Sequence, residues 1–205
     1  VLYLWCITKV FFIFMKYTDD INIFKLNKDF TAEIDITGTF GHIYHYPQRM
    51  NGCLFILCLR GECDITIHLS EHKIQKNDIV TILPETFVHV HRQSPDCRLY
   101  LVGFNKELLN GINFFNSTKN YLSALIDTPV TPLRPETSEL FQDYFMLLIK
   151  MKHIEAKPNK DLLSSMLLTI LHGVGNIHQN TNVTTRAFNR GEEIVKRLVQ
   201  YIIKH

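Results

Sequence analysis

The 205-residue sequence has no excess of charge of either sign. Its 22 lysines and arginines nearly balance its 20 acidic residues, which leaves a formal net charge of +2 at pH 7. Without a strong positive field, the chain has no electrostatic footprint for nucleic acid spread over its whole surface. The hydrophobic fraction of 46% is ample for a buried core, so the composition also excludes wholesale disorder.

Paired cysteines and a long apolar run are also missing. The five cysteines are odd in number and include no Cys-x-x-Cys pair, which favours reduced thiols over disulfides. The apolar segment 1–14 is shorter than the roughly 20 residues that cross a bilayer, and no secretory cleavage site follows it. We therefore predict a cytoplasmic protein with no membrane partner. Residues 1–20 are expected to be an upstream extension or an extra strand.

Motifs of the common catalytic classes are absent. The sequence contains no Gly-x-Ser-x-Gly elbow, no phosphate-binding loop and no dinucleotide fingerprint. Cys58 lies inside an apolar run, which indicates a small buried hydrophobic side chain rather than a nucleophile. We therefore predict that the chain is not an enzyme and has no catalytic residues.

Two periodicities divide the chain. Between residues 21 and 105, short β-type runs are separated by turn residues at spacings of about 8–12 residues, with no helical pattern between them. The run "CLFILCL" (53–59) is continuously apolar, as expected for a strand that is covered on both faces. These features predict an antiparallel sandwich or barrel. The eight runs are 30–36, 40–46, 53–59, 63–69, 72–75, 78–83, 87–91 and 97–104.

After residue 105 the apolar spacing changes to three and four residues, which is typical of helices. Segments 135–156 and 160–175 each carry an apolar stripe, and Gly173 and Gly175 are expected to weaken the end of the second helix. The second stripe could pack on the barrel or cover a second copy of the chain. Two stripes supply more apolar surface than one side of a barrel needs, so we predict a homodimer. The predicted dimerisation residues are Leu163, Met166, Leu167, Ile170, Leu171 and Val174.

Three β-motifs, followed by helices, carry a resemblance to a known family. "GHIYHYPQ" stands where the first histidine strand of a cupin would lie, "LCLRGECDITI" has the form of a strand-turn-strand hairpin, and "KIQKNDIVTILPETFVH" has that of a second cupin motif. A helical pair (106–180) follows, then a polar linker and "GEEIVKRLVQYIIKH" (181–205). This order resembles the front of AraC-type transcription regulators. The resemblance implies a cupin-like β-barrel sensor (21–105), a helical dimerisation region, and the first helix of a truncated helix-turn-helix domain. The predicted fold is α+β, an antiparallel double-stranded β-helix followed by helices.

The histidines depart from the pattern of a metal-binding cupin. On a strand, His42 and His45 would point to opposite faces, and no acidic residue lies between His42 and Gly61. Only His89 and His91 share a face, and two ligands are fewer than a catalytic metal site normally needs. We therefore predict no metal and no cofactor.

A small-molecule effector, if one binds, is expected in the mouth of the barrel among apolar walls and a few polar tips. The candidate ligand-binding residues are His42, Tyr44, His89, His91 and Tyr100.

The leading hypothesis is the ligand-sensing and dimerisation region of a bacterial AraC-type regulator, which contacts DNA only through a missing C-terminal domain. A metal-dependent cupin isomerase or dioxygenase is the alternative from the enzyme class, and stoichiometric metal lost on His89→Ala would favour it. A stand-alone metabolite-binding module is the third. Helix-turn-helix sequence beyond residue 205 would separate the first hypothesis from the third.

Overall fold

The computed structural model describes residues 23–25, 29–36, 38–68, 70–112, 122–154 and 159–180. They form nine strands and five α-helices. The strands are β1 (Ile23–Lys25), β2 (Phe30–Ile34), β3 (Gln48–Arg60), β4 (Glu62–Ile67), β5 (Ser70–Gln75), β6 (Asp78–Ile82), β7 (Phe87–Gln93), β8 (Arg98–Asn105) and β9 (Val130–Pro132). The helices are α1 (His42–His45), α2 (Lys106–Gly111), α3 (Leu122–Asp127), α4 (Pro135–Ile154) and α5 (Lys160–Asn180). None of these helices is long and apolar enough to cross a membrane.

The long strand β3 links two facing sheets. Its first residues pair with β7 and, in parallel, with β1, whereas its remainder pairs antiparallel with β8 and β6. Gly52 stands at this change of partner with φ at 149°, a backbone conformation that favours glycine. One sheet therefore has the order β5-β4-β7-β3-β1 and the other the order β2-β8-β3-β6-β9.

The space between the two sheets is filled by apolar side chains. Strands β3, β4, β6, β7 and β8 each turn alternate residues inward, because successive side chains of a strand point to opposite faces. The largest of these side chains are buried completely, so they close the interior that an open barrel would offer to a ligand. They include Leu54, Ile56, Ile65, Val80, Ile82, Val88, Val90, Leu99 and Leu101.

The outer face of the β2-β8-β3-β6 sheet carries the second core, which helices α4 and α5 cover. Phe55 and Phe104 project from this face toward the helices, with ring centroids 6.3 Å apart. Since β3 is buried on both faces, its continuous apolar run is explained, and that prediction is confirmed. The cupin-like α+β fold is likewise confirmed, although the path of paired strands stays open among the described residues.

The six predicted dimerisation residues lie in this second core. Leu163, Leu167, Ile170, Leu171 and Val174 are at most 1% exposed, and Met166 is 8% exposed. They pack within a single chain, so the prediction that they form the dimer interface is wrong. The prediction that these residues form one apolar face of the helix is correct, but this face packs against the sheet and α4 rather than against a second copy.

Segment 38–45 differs from its predicted strand. Residues Gly38–Gly41 form a 3-10 helix that continues into α1. Phe40 and Ile43 are both fully buried in the inter-sheet core, and their spacing of three residues fits one helical face. The strands β1 and β9 were not predicted.

Helix α5 continues past Gly173 and Gly175 to Asn180, whereas the sequence predicted that these glycines weaken its end. Gly173 has a packing role. A β-carbon at this position would lie 3.1 Å from the ring of Phe141 on α4. Glycine therefore allows the two helices to approach closely. The predicted linker and last helix (181–205), and the N-terminal extension (1–20), lie outside the described residues.

Candidate ligand-binding site

A small cleft opens where the ends of β4 and β6 meet helix α3. It has an inner space of about 10 Å³, enough for one water-sized group, and a mouth open to solvent. We refer to it as the threonine cleft. It is lined by Ile67, His68, Thr81, Leu83, Thr86, Leu125, Ile126 and Pro129.

The cleft contains a polar group without a hydrogen-bond partner in the described structure. Thr81 is 2% exposed, and its Oγ1 is buried without a hydrogen bond. Its backbone N–H donates to the carbonyl of Pro129 at 2.8 Å, which fixes the position of the residue. A buried hydroxyl without a partner costs about 1–3 kcal/mol. Such a group is rare in folded proteins and calls for a partner.

Two further polar side chains converge on the cleft. Thr86 is buried, and its Oγ1 forms a long hydrogen bond of 3.4 Å with His68 Nε2. Burial lowers the pKa of His68 below its usual value of 6.5, so the ring is neutral at pH 7. None of the lining residues is Lys, Arg, Asp or Glu. The site is therefore apolar, with three uncharged hydrogen-bonding groups.

A hydrogen-bond network joins this cleft to the C-terminal end of α5. Thr128 directly follows α3, and its hydroxyl donates to the carbonyl of Ala124 at 2.8 Å. The His178 ring lies between Thr128 and Thr131, with Nδ1 3.3 Å from Oγ1 of the former and Nε2 2.8 Å from Oγ1 of the latter. Helix α3 thus contacts the cleft on one side and is tied to α5 on the other.

His89 and His91 do share one face of β7, as predicted. Their ring centroids are 4.4 Å apart, and His91 Nε2 lies 2.6 Å from Thr66 Oγ1 of the neighbouring strand. The inward residues of β7 are Val88 and Val90, so the two rings point away from the inter-sheet core. The expectation that they reach a ligand in the barrel is wrong. Their face is the outside of the β5-β4-β7 sheet.

The other predicted ligand residues are dispersed. His42 and Tyr44 belong to α1 instead of a strand, and the Tyr44 side chain is 40% exposed. Tyr100 is half-buried on the helix-facing side of β8, opposite the inward residues Leu99 and Leu101. The structure therefore brings His89 close to the backbone of Tyr44 through a hydrogen bond, but brings neither to Tyr100.

The donor set of a catalytic metal is incomplete in the described part of the chain, where no three His, Cys, Asp or Glu side chains cluster. Burial, and then the neighbouring His91, lower the pKa of His89, while the hydrogen bond to Tyr44 opposes the shift. Two imidazoles without a third ligand do not fit the metal of a cupin enzyme.

The described cysteines Cys53, Cys58, Cys63 and Cys97 are free thiols. Burial raises the pKa of Cys58 and of Cys63 to about 12, so both remain protonated and unreactive at neutral pH. The interpretation of Cys58 as a small buried hydrophobic residue is confirmed, since it is fully buried between the sheets.

Residues 34–172 match the family model of the AraC-like ligand binding domain. The chain belongs to this family. The matched region begins at the last residue of β2 and extends into α5, so it includes β3 to β9, α4 and the first part of α5. No curated protein matches the sequence. The membership confirms the predicted resemblance to AraC-type regulators, and it assigns a ligand-sensing regulatory role to the described fold.

Solved structures of low identity are similar to this AraC-like domain in parts. ToxT from Vibrio cholerae O395, bound to (E)-4-(8-methylnaphthalen-1-yl)but-3-enoic acid, is 8% identical with a TM-score of 0.41; the match covers 77% of this chain and 60% of ToxT. The AraC-like transcriptional activator CuxR is 11% identical with a TM-score of 0.40, over 77% and 51%. The Cnp3 cupin domain of Schizosaccharomyces pombe is 13% identical with a TM-score of 0.30, over 45% and 67%.

The sequence carried one signal for the threonine cleft that the strand prediction did not use. In the apolar run "DIVTIL" (78–83), Thr81 is the single polar residue between Asp78 and the turn at Pro84. A polar residue within a strand that is buried on both faces needs a partner. The approach of α3, which begins at Leu122, far from Thr81 in the chain, could not be predicted from this signal.

Proposed function

We propose that this chain is the ligand-sensing and dimerising region of a bacterial AraC-type transcription regulator, without catalytic activity of its own. The match of residues 34–172 to the ligand binding domain carries the proposal. The protonated cysteines and the incomplete metal ligand set of the described residues support a binding role. In such a protein, a cytoplasmic metabolite binds one arrangement of the sheets and helices more tightly than another and thereby shifts their populations.

Native mass spectrometry with fractionated bacterial metabolites tests ligand sensing directly. We expect at least one metabolite to bind in a 1:1 ratio with the chain and to be recovered chemically unchanged after prolonged incubation. A metabolite that is converted to product by the protein, at a rate that scales with protein concentration, would contradict the proposal.

For the homodimer, we propose the outer face of α4 in place of the α5 stripe. Leu140, Leu147 and Ile154 are 69%, 47% and 80% exposed. They recur every seven residues, so they form one seam along the helix, which we call the outer α4 stripe. Apolar side chains aligned in this way favour the burial of the seam against a matching surface.

The charges beside the outer α4 stripe favour an antiparallel second copy. Within the helix, the exposed charges of the N-terminal half are acidic (Glu136, Glu139, Asp143), and Lys150 lies near the C-terminal end. Two copies that cross at Leu147 in opposite directions would bring the acidic half of one helix to the basic half of the other. A parallel pair would instead place like charges together.

Leu147→Glu tests this interface. Sedimentation velocity should give a dimer for the wild-type chain and a monomer for Leu147→Glu, because two buried carboxylates would meet at the centre of the interface. The matched control is Leu162→Glu on α5, a leucine that is also exposed, at 42%. The control should remain dimeric. A monomeric wild type, or a dimeric Leu147→Glu, would contradict the proposed interface.

DNA binding in the proposed regulator belongs to a separate helix-turn-helix domain. The net charge of +2 gives this chain little affinity for phosphates. Electrophoretic mobility shifts with promoter fragments should therefore detect no sequence-specific complex of the chain alone. Specific and salt-sensitive binding to duplex DNA would contradict this division of roles.

A further inference from the structure

The threonine cleft combines a polar inner end with an apolar rim. Its three hydrogen-bonding side chains are Thr81, Thr86 and His68, and the remaining lining is aliphatic. The inner space of about 10 Å³ accepts a single group of the size of a hydroxyl. Leu125 and Ile126 of α3 lie at the opposite wall, together with Pro129.

The unpartnered hydroxyl of Thr81 is the observation that points to a ligand. The side chain is almost completely buried, yet its Oγ1 is without a hydrogen bond, although neighbouring backbone groups such as the Thr81 N–H are paired. A ligand that hydrogen-bonds this oxygen removes an existing cost and gains affinity at this position. A hydroxyl or carbonyl group meets the requirement, because a threonine hydroxyl both donates and accepts.

The charge of the lining selects against ions. The cleft has no Lys, Arg, Asp or Glu side chain, and burial holds the pKa of His68 below its usual value. A carboxylate or an ammonium group would lose its hydration here without gaining a counter-charge, which strongly disfavours both.

We propose that the threonine cleft binds a small uncharged molecule through one hydroxyl or carbonyl group, with an apolar body lying against α3. This inference rests on the proposed ligand-sensing function and names the class of ligand. It assigns the binding to the outside of the β6 sheet instead of the filled space between the two sheets. Because Thr128 ties α3 to His178, a ligand that moves α3 also moves the end of α5.

Three probes with the same ring and different charge test the ligand class. Benzyl alcohol is uncharged, benzoate is an anion and benzylamine is a cation at neutral pH. In ¹H–¹⁵N NMR titrations of the full 205-residue chain, benzyl alcohol should bind saturably with a millimolar Kd, as its small size allows. The amides of Thr81, Leu125 and Ile126 should shift most. Benzoate and benzylamine should bind at least about tenfold more weakly.

Thr81→Val provides the matched variant, since it keeps the shape of the side chain and replaces the hydroxyl with a methyl group. It should weaken benzyl alcohol about tenfold. Thr169→Val on α5, whose hydroxyl donates to the carbonyl of Ser165 on the exposed helix surface, should leave the affinity unchanged. The ¹H–¹⁵N spectra of both variants also report whether each remains folded.

Several results would overturn the inference. They are equal binding of a charged probe, unchanged affinity in folded Thr81→Val, and no saturable binding of benzyl alcohol. Shifts concentrated at inter-sheet residues such as Leu54 and Leu101 would also overturn it, while leaving ligand sensing intact. Failure of ligand sensing itself would be recognised separately in the mass-spectrometry experiment, by the absence of any bound metabolite or by turnover of a bound one.

Discussion

At the scale of single residues, the fold depends on a few positions whose backbone or polarity departs from the average. Thr81 is a polar side chain in a buried strand, and Gly61 forms the turn between β3 and β4 with φ at 70°. The sequence predicts a strand-turn-strand hairpin in "LCLRGECDITI"; Gly61 does form a turn between β3 and β4, but β4 pairs with β5 and β7 rather than with β3. The crowding around Gly61 involves Ser94 and Cys97, and local sequence gives no information on such distant neighbours.

Gly61→Ala should destabilise the protein by about 2–4 kcal/mol. A β-carbon would lie 2.5 Å from Ser94 Oγ and 2.6 Å from Cys97 Cα, in addition to the strain of a positive φ. Urea unfolding followed by circular dichroism measures the change. Gly111→Ala is the control, because its β-carbon would meet nothing within 4 Å. It should alter stability by no more than about 1 kcal/mol, and an equal loss in both variants would contradict the role of Gly61.

Buried histidines should make the protein less stable in mild acid. Burial lowers the pKa of His68 and of His178 below 6.5, so between the folded and unfolded values the unfolded chain binds more protons. The contribution is fully present above about pH 6.5 and is lost as pH falls through that range toward the folded pKa values. Urea unfolding at intervals between about pH 7.5 and 5.5 measures this dependence.

His178→Gln should reduce the slope of stability against pH, since one of the histidines whose pKa is lowered by burial is removed. The amide of glutamine retains a donor and an acceptor for Thr128 and Thr131. A free energy of unfolding that increases on acidification through this range would contradict the assignment, as would an unchanged slope in His178→Gln.

At the scale of elements, the apolar pattern predicted which face of a helix is buried but did not identify what covers it. The apolar stripe of α5 was predicted correctly, but it packs against α4 and against strands such as β3 and β8, which end more than 50 residues before α5 begins. The run 40–46 was predicted as a strand, but Gly38–Gly41 and His42–His45 are helical, and the spacing of three between Phe40 and Ile43 fits one face of a helix. Tyr44, one of the predicted ligand-binding residues, is consequently an exposed residue of α1.

Leucine-to-alanine variants separate core from interface. Leu167→Ala should destabilise the chain by about 2–5 kcal/mol, because the side chain is fully buried between α5 and the sheet. Leu140→Ala on the outer α4 stripe should cost less than about 0.5 kcal/mol at concentrations where the chain is monomeric. Thermal and urea unfolding at low protein concentration measure both. Similar losses in the two variants would contradict the division between a buried and an exposed face.

At the scale of the whole molecule, the threonine cleft is linked to α5 through α3. Helix α3 lines the cleft, and Thr128 at its end is hydrogen-bonded to His178 of α5. The family and the fold could be predicted from the order of motifs in the sequence. That order is informative even though one predicted element, the strand 40–46, is wrong. The position of the threonine cleft could not be predicted from the sequence, because its side chains come from separate parts of the chain. If the outer α4 stripe joins two copies, two α5 ends are presented together, and a ligand beside α3 can change their separation.

Double electron–electron resonance between two spin labels tests this central claim most directly. Labels on Asn176→Cys, an exposed position of α5, would report the distance between the α5 ends in the dimer, with Cys6 and Cys97 replaced by serine. We predict a defined distance distribution that shifts when the metabolite recovered by mass spectrometry is added. A distribution that is the same with and without saturating metabolite, or no dipolar coupling at all, would contradict the account.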